Sequence, residues 1–100
     1  MNIETIRDYC LSKPGAEETL PFGPDVIVFK VKNKLFLLLP LDKEQLQFNV
    51  KCDPDLALEL REQYSCVLPG WHMNKKHWIS IASSPEISPD LVQDLIQDSY

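Results

Sequence analysis

The spacing of apolar residues near the start of the chain is helical. Ile3, Ile6 and Cys10 recur three and four positions apart, which places them on one face of an α-helix. Asn2 precedes them, and its side chain can cap the free backbone N–H groups of a first turn. Because proline and glycine follow Ser12 closely, the pattern predicts a first helix that begins after Asn2 and ends near Ser12.

The middle of the chain changes to strand patterns. Residues 13–25 are interrupted by prolines and glycines and predict a loop. Residues 26–31 and 35–39 are β-branched, aromatic or leucine-rich, and they predict two strands joined by a polar turn at 32–34. Asn33 in that turn tolerates positive φ. The second strand lacks alternation, which is typical of a strand covered on both faces.

A third strand is predicted after the turn at residues 40–44, because apolar and polar residues then alternate. The apolar set, which predicts a core face, is Leu46, Phe48, Val50 and Cys52. The polar set, which predicts a face open to water, is Gln45, Gln47, Asn49 and Lys51. Successive side chains of a strand point to opposite faces, so the two sets are separated by the sheet itself.

Two further helices are predicted by a cap followed by proline. Asp53-Pro54 and Ser88-Pro89 each combine an N-cap side chain with a proline that suits the first helical position. The apolar stripe of the first is Leu56, Ala57, Leu60 and Tyr64. The inner face of the second is Leu91, Val92, Leu95, Ile96 and Ser99. Residues 77–83 predict a strand, and residues 66–71 leave room for one more short strand.

The predicted order is α-β-β-β-α-β-α, an α+β fold. Strands joined by short turns pair antiparallel. We expect the helices to pack on one face of the sheet in a two-layer sandwich, which leaves the face of Gln47, Asn49 and Lys51 exposed. One hundred residues form a single domain over residues 1–100.

Composition indicates a cytoplasmic protein. The N-terminus has no basic or apolar signal region, and the longest apolar stretch, residues 35–41, is far shorter than the ~20 residues of a spanning helix. The three cysteines form an odd count without a close pair, which predicts reduced thiols. We expect a monomer that neither spans nor enters a membrane.

Charge is distributed unevenly. The net charge of −5 argues against strong non-specific binding to nucleic acid, because affinity for phosphate comes mainly from Lys and Arg. Yet residues 30–51 hold five lysines against two acids, and residues 66–83 hold two lysines and no acid. Residues 84–100 hold four acids and no base. The predicted hairpins are therefore basic and the predicted helices acidic.

The densest group of functional side chains is residues 70–78, with two Trp, two His and two Lys in nine residues. Strand parity puts Trp78 on the polar face, where an exposed ring beside Lys51 and Asn49 would be a stacking platform for bases. Alternatively, the lysines only protect sheet edges, and Trp78 only caps the core. The candidate nucleic-acid-binding residues are Lys30, Lys32, Lys34, Asn49, Lys51, His72, Asn74, Lys75, Lys76, His77 and Trp78.

The pattern supports neither a catalytic nor a metal site. Cys52, Cys66, His72 and His77 are residue types that bind zinc, but the close cysteine pair of a zinc site is missing. The inward parity of Cys52 predicts an inert, buried thiol rather than a nucleophile. Phosphate-loop, nucleophile-elbow and dinucleotide motifs do not occur. We therefore expect no catalytic residues, no metal, no cofactor and no enzyme activity.

Segments along nearly the whole chain resemble the MmcQ/YjbR family. The matching segments are PFGPD at 21–25, VFK at 28–30, VKCDP at 50–54, ALELR at 57–61, PGWHMNKKHW at 69–78 and SY at 99–100. The resemblance implies a CyaY-like fold, similar in outline to frataxin, and a DNA-binding protein with a double wing. The positions that match are Lys30, Lys51, His72, Asn74, Lys75, His77 and Trp78. Ile79 departs from the polar residue that relatives often have there.

Three functions remain open at this point. The first is weak binding of double-stranded DNA or another anionic ligand through the polar sheet face and the basic hairpins. The second is a protein-interaction or adaptor module for an unidentified protein. The third is frataxin-like metal binding on the acidic helices.

Overall fold

The structure, a computed structural model, describes residues 2–70 and 77–100. Within them the chain forms three helices and six strands. In chain order these are α1 (Ile3–Leu11), β1 (Glu17–Thr19), β2 (Val26–Val31), β3 (Lys34–Pro40), β4 (Gln47–Lys51), α2 (Pro54–Gln63), β5 (Val67–Pro69), β6 (Trp78–Ala82) and α3 (Pro89–Ser99).

The six strands form one antiparallel sheet in the order β1-β2-β3-β4-β6-β5. The main core lies between the helices and one face of this sheet, which confirms the predicted α+β class. Its members from the sheet are Phe29, Phe36, Leu37, Leu39, Phe48, Val50, Val67, Ile79 and Ile81. Its members from the helices are Ile6, Cys10, Ala57, Leu60, Val92, Leu95 and Ile96.

The predicted starts of the three helices are confirmed. Each start is determined by its capping residue. The Asn2 side chain accepts a hydrogen bond from the Thr5 N–H at 2.9 Å, and the Thr5 hydroxyl bonds back to Asn2 in a capping box. Asp53 and Ser88 cap α2 and α3, each followed by a proline in the first turn. None of these helices is both long enough and apolar enough to cross a bilayer.

The predicted element order lacked one strand. Residues 17–19 fell within the predicted loop, whereas they form β1 and pair with β2, with Glu17 opposite Lys30 and Thr19 opposite Val28. Two glutamates have little intrinsic preference for a strand, so pairing with β2 rather than local sequence creates this edge. The additional short strand near residues 66–71 is β5.

Contrary to prediction, the sheet face away from the helices is not an open polar surface. Val28, Leu38 and Trp78 form a second buried cluster there. Asn49 on this face is only 8% exposed and accepts a hydrogen bond from the Ser80 hydroxyl. The central strands carry apolar side chains on both faces, and these side chains cover the face that was predicted to be polar. The four consecutive buried residues of β3 confirm the prediction that this strand is covered on both faces.

Candidate nucleic-acid interface

Antiparallel pairing brings candidate residues from distant parts of the chain to one end of the sheet. The turn between β2 and β3 lies at this end, and so does the last residue of β4, Lys51. Trp78, the first residue of β6, is the cross-strand partner of Lys51. We call this region the basic end, and the candidates that form it are Lys30, Lys32, Lys34, Lys51 and His77. Four other candidates, His72, Asn74, Lys75 and Lys76, lie outside the described residues.

The lysines and the histidine of the basic end differ in accessibility. Lys32, Lys34 and His77 are exposed, whereas Lys30 and Lys51 are half-buried. Lys30 also lies opposite Glu17 in the strand register, so an acid shares its part of the surface. Lys32 and Lys34, at the tip of the β2–β3 hairpin, are therefore the positive charges best presented to a large anionic partner.

Trp78 does not provide the stacking platform that an exposed ring would have offered, because it is only 6% exposed. The Lys51 ammonium lies 5.6 Å from its ring centroid, within cation–π range. The Gly70 N–H donates to the Trp78 carbonyl at 2.9 Å, and a Cβ on Gly70 would lie 2.6 Å from the Trp78 Cβ. Close backbone approach and packing with Val28 and Leu38 hold the indole against the sheet.

A cleft of about 760 Å³ opens beside the basic end, where the end of β4, the start of α2 and the end of α3 meet. Its lining is Lys51, Cys52, Asp53, Leu56, His77, Trp78, Leu95, Asp98 and Ser99. The Cys52 N–H donates to the His77 carbonyl at 2.7 Å, which closes this end of the β4–β6 pair. We refer to this space as the cleft.

The Cys52 thiol in the cleft is half-buried rather than fully buried. Burial raises its pKa, and the carboxylates of Asp53 and Asp98 raise it further. Burial alone raises the pKa of Cys10 in the main core to about 12. Both thiols are therefore held in the protonated form, which is the less nucleophilic one.

The acidic helical side contributes an ion pair that links α1 to β1. The Arg7 guanidinium bonds both carboxylate oxygens of Glu18, at 2.6 and 2.7 Å. This pairing raises the pKa of Arg7 and lowers that of Glu18. Within residues 2–70 and 77–100, no three His, Cys, Asp or Glu side chains come together as metal ligands. Metal binding on the acidic helices therefore stays a prediction, and no ligand cluster among these residues supports it.

An apolar patch that the sequence pattern did not predict lies at the end of the sheet opposite the basic end. Leu20, Phe22 and Leu41 are 54%, 64% and 36% exposed. A groove of about 430 Å³ runs between Leu20 and Leu41, and the Arg7–Glu18 pair lines it as well. The sequence signal was Phe22, which stands between Pro21 and Gly23-Pro24. These residues predict a loop, and a side chain in a surface loop is seldom buried in the core. We call Leu20, Phe22 and Leu41 the apolar patch.

Comparison with known proteins gives related chains over the whole length. The model of the family described as YjbR matches residues 11–100. The uncharacterized protein YbdF of Escherichia coli is 42% identical over 97 residues, which cover 97% of this chain and 80% of that protein. The uncharacterized protein YjbR of Escherichia coli is 31% identical over 100 residues, covering all of this chain and 85% of that one.

Solved structures agree with the sequence relatives. A crystal structure of a Deinococcus radiodurans protein matches with a TM-score of 0.94 at 31% identity, over 99% of this chain and 75% of that one. A crystal structure of a Pseudomonas syringae protein matches with a TM-score of 0.86 at 28% identity, over 100% of this chain and 97% of that one. The resemblance noted in the sequence is thus confirmed, and the chain belongs to the YjbR family.

Proposed function

We propose that this protein binds double-stranded DNA weakly through its basic end, and that it acts by binding rather than by catalysis. The observation that supports the proposal is that Lys32, Lys34 and Lys51 lie at one end of the sheet, although the length of β3, β4 and their connection separates Lys34 from Lys51 in sequence. Cations gathered at one end of a sheet can contact a phosphate backbone.

The geometry favours phosphate contacts over base contacts. Trp78 and Asn49 are buried, so neither is available to stack on a base or to read a base edge. Contacts from lysines to phosphates position a protein on a duplex without reading its sequence. Because the whole chain carries a net charge of −5, we expect modest affinity with strong salt dependence and little sequence preference.

A charge-removal pair tests this proposal. Lys34→Gln removes an exposed cation from the basic end, and Lys43→Gln removes a half-buried one from the β3–β4 connection at the opposite end of the sheet. We expect Lys34→Gln to weaken binding of a short duplex and to reduce the slope of log K against log salt by about 0.9, the value for one phosphate contact. Fluorescence anisotropy at several salt concentrations measures both.

Lys43→Gln is the control for net charge and should leave the slope unchanged; because Lys43 takes part in an interaction within the protein, the amide spectrum of this variant is compared with that of the parent. Equal slopes for both variants and the parent protein would exclude the basic end as the DNA surface. Equal losses in both variants would mean that only overall charge matters.

The apolar patch favours a second candidate, a protein-interaction module. Phe22 is 64% exposed and lies two residues after Leu20, which lines a groove together with Leu41, and exposed apolar groups that cluster often mark contacts with other proteins. A photoreactive residue at position 22 should crosslink a distinct protein in living cells. Position 58 is the control, because Leu58 is a comparably exposed leucine on α2; the same adducts from both positions would contradict a specific partner.

A further inference from the structure

The cleft combines an apolar floor with two carboxylates. Leu56 and Leu95 supply apolar surface and the largely buried Trp78 borders it, while Asp53 and Asp98 lie at the start of α2 and in the last turn of α3. Its volume of about 760 Å³ falls in the range typical of small-molecule sites. A pocket of this composition suits a ligand with an apolar body and a polar group.

Neither carboxylate forms a salt bridge within the described part of the chain. One oxygen of Asp53 accepts hydrogen bonds from the N–H groups of Asp55 and Leu56, at 3.1 and 3.3 Å, as the N-cap of α2. No cation within residues 2–70 and 77–100 forms a salt bridge with Asp53 or Asp98. The cleft therefore contains two carboxylates without a counter-ion among these residues.

The surroundings of Asp98 add to this negative charge. The last turn of α3 carries no basic residue of its own, and its carbonyl groups are the negative end of the helix dipole; the Lys13 ammonium of α1 donates to Gln97 in that turn. Lys51 and His77 also line the cleft; the Lys51 ammonium lies 5.6 Å from the Trp78 ring centroid and forms no salt bridge with a carboxylate of the described residues. Both carboxylates also raise the pKa of Cys52, as expected where the electrostatic potential is negative.

We propose that the cleft binds a small organic cation, a primary ammonium or guanidinium group on an apolar or aromatic body. The cationic group lies between the carboxylates of Asp53 and Asp98, and the body packs against Leu56 and Leu95. A phosphate or carboxylate group would meet the two aspartates and be repelled. This site is therefore chemically distinct from the basic end and does not depend on the proposed DNA binding.

An NMR titration with two matched probes tests the proposal on the full chain. Phenethylammonium and phenylacetate have the same aromatic body and opposite charge. We expect the cation to shift the methyl signals of Leu56 and Leu95 and the indole N–H of Trp78 in a saturable manner, and the anion to leave them in place. Equal shifts with both probes, or no saturable shift with the cation, would overturn the proposal.

Isosteric variants locate the charge that selects the ligand. Asp98→Asn should weaken binding of phenethylammonium about two- to fivefold, as expected for a partly exposed ion pair. Asp94→Asn, one turn earlier on α3 and outside the cleft lining, is the control and should leave affinity unchanged. Equal weakening by both would mean general electrostatic attraction to an acidic protein, and the cleft would not be a site.

Asp53→Asn supplies an independent variant in case Asp98→Asn disturbs the end of α3. Asparagine caps a helix about as well as aspartate, so α2 should remain intact while the charge is lost. We expect the same two- to fivefold weakening with the amide spectrum otherwise preserved. Unchanged affinity in this variant would contradict a cation held between the two carboxylates.

Discussion

The Ser99 hydroxyl connects the last helix to a break in the central sheet. Phe29 pairs with Leu37 but Lys30 pairs with Leu35, so Phe36 is the extra residue of a β-bulge. The bulge removes the Phe36 carbonyl from the regular ladder. Ser99 donates to that carbonyl at 2.5 Å and accepts from the Lys51 N–H at 3.0 Å. One side chain therefore satisfies backbone groups of both β3 and β4.

Replacing Ser99 tests this role. Ser99→Ala leaves the Phe36 carbonyl and the Lys51 N–H without this partner, and a part-buried polar group left unpaired costs about 1–3 kcal/mol. We expect the free energy of unfolding, measured by urea denaturation, to fall by that amount. Ser83→Ala is the control, because the hydrogen bond of Ser83 to Leu46 uses its backbone N–H. A loss no larger than in this control would show that Ser99 has no such role.

At the scale of elements, the β2–β3 hairpin depends on its two turn residues. Lys32 and Asn33 have φ values of 51° and 64°, which is the left-handed region used by two-residue hairpin turns. The sequence predicted positive φ for Asn33, since asparagine tolerates it, but gave no such sign for Lys32. The lysine adopts it because the pairing of β2 with β3 fixes the length of the turn.

Substitutions at position 33 separate backbone conformation from side-chain contacts. Asn33→Ala should lower the free energy of unfolding by about 1 kcal/mol, because alanine is strained at positive φ. Asn33→Gly should leave it unchanged or raise it by a few tenths of a kcal/mol, because glycine is not strained there. Thermal denaturation of both variants measures the difference. Equal destabilisation would mean that the asparagine side chain, rather than the turn conformation, is important.

For the whole molecule, antiparallel topology sorts the charges by position. The lysines of separate strands meet at the basic end, while Asp90, Asp94 and Asp98 follow one another at four-residue intervals on α3. Asp98 and Asp53 line the cleft together with Lys51, so acids and lysines meet beside the basic end. Both edge strands, β1 and β5, are only three residues long, which limits pairing with other sheets.

The sequence was sufficient to predict those elements whose structure is determined by residues close together in the chain. Asn2, Asp53 and Ser88 identified all three helix starts, because a cap acts within a few residues of itself. The alternation after residue 45 gave the core face of β4 correctly, with Phe48 and Val50 fully buried. It was insufficient for β1, since Glu17 and Glu18 have little strand preference and become a strand only by pairing with β2.

The candidate site was predicted in part for the same reason. Lysines at a hairpin tip are exposed in almost any fold, so Lys32 and Lys34 could be assigned to the surface. Trp78 could not, because strand parity gives the face of a residue but not what covers that face. Its burial depends on Val28 and Leu38 from strands far away in sequence. The apolar patch and the cleft were likewise invisible, since each is formed by segments that only the fold brings together.

By itself, then, the sequence determined the helices, most strands, the core-facing residues and the separation of basic hairpins from acidic helices, because these follow from short-range periodicity and capping. Only the tertiary structure decided that Lys34 and Lys51 share one end of the sheet, that Trp78 is buried, and that Asp53 and Asp98 line one cleft. Those features rest on contacts between residues distant in the chain, which local pattern does not encode.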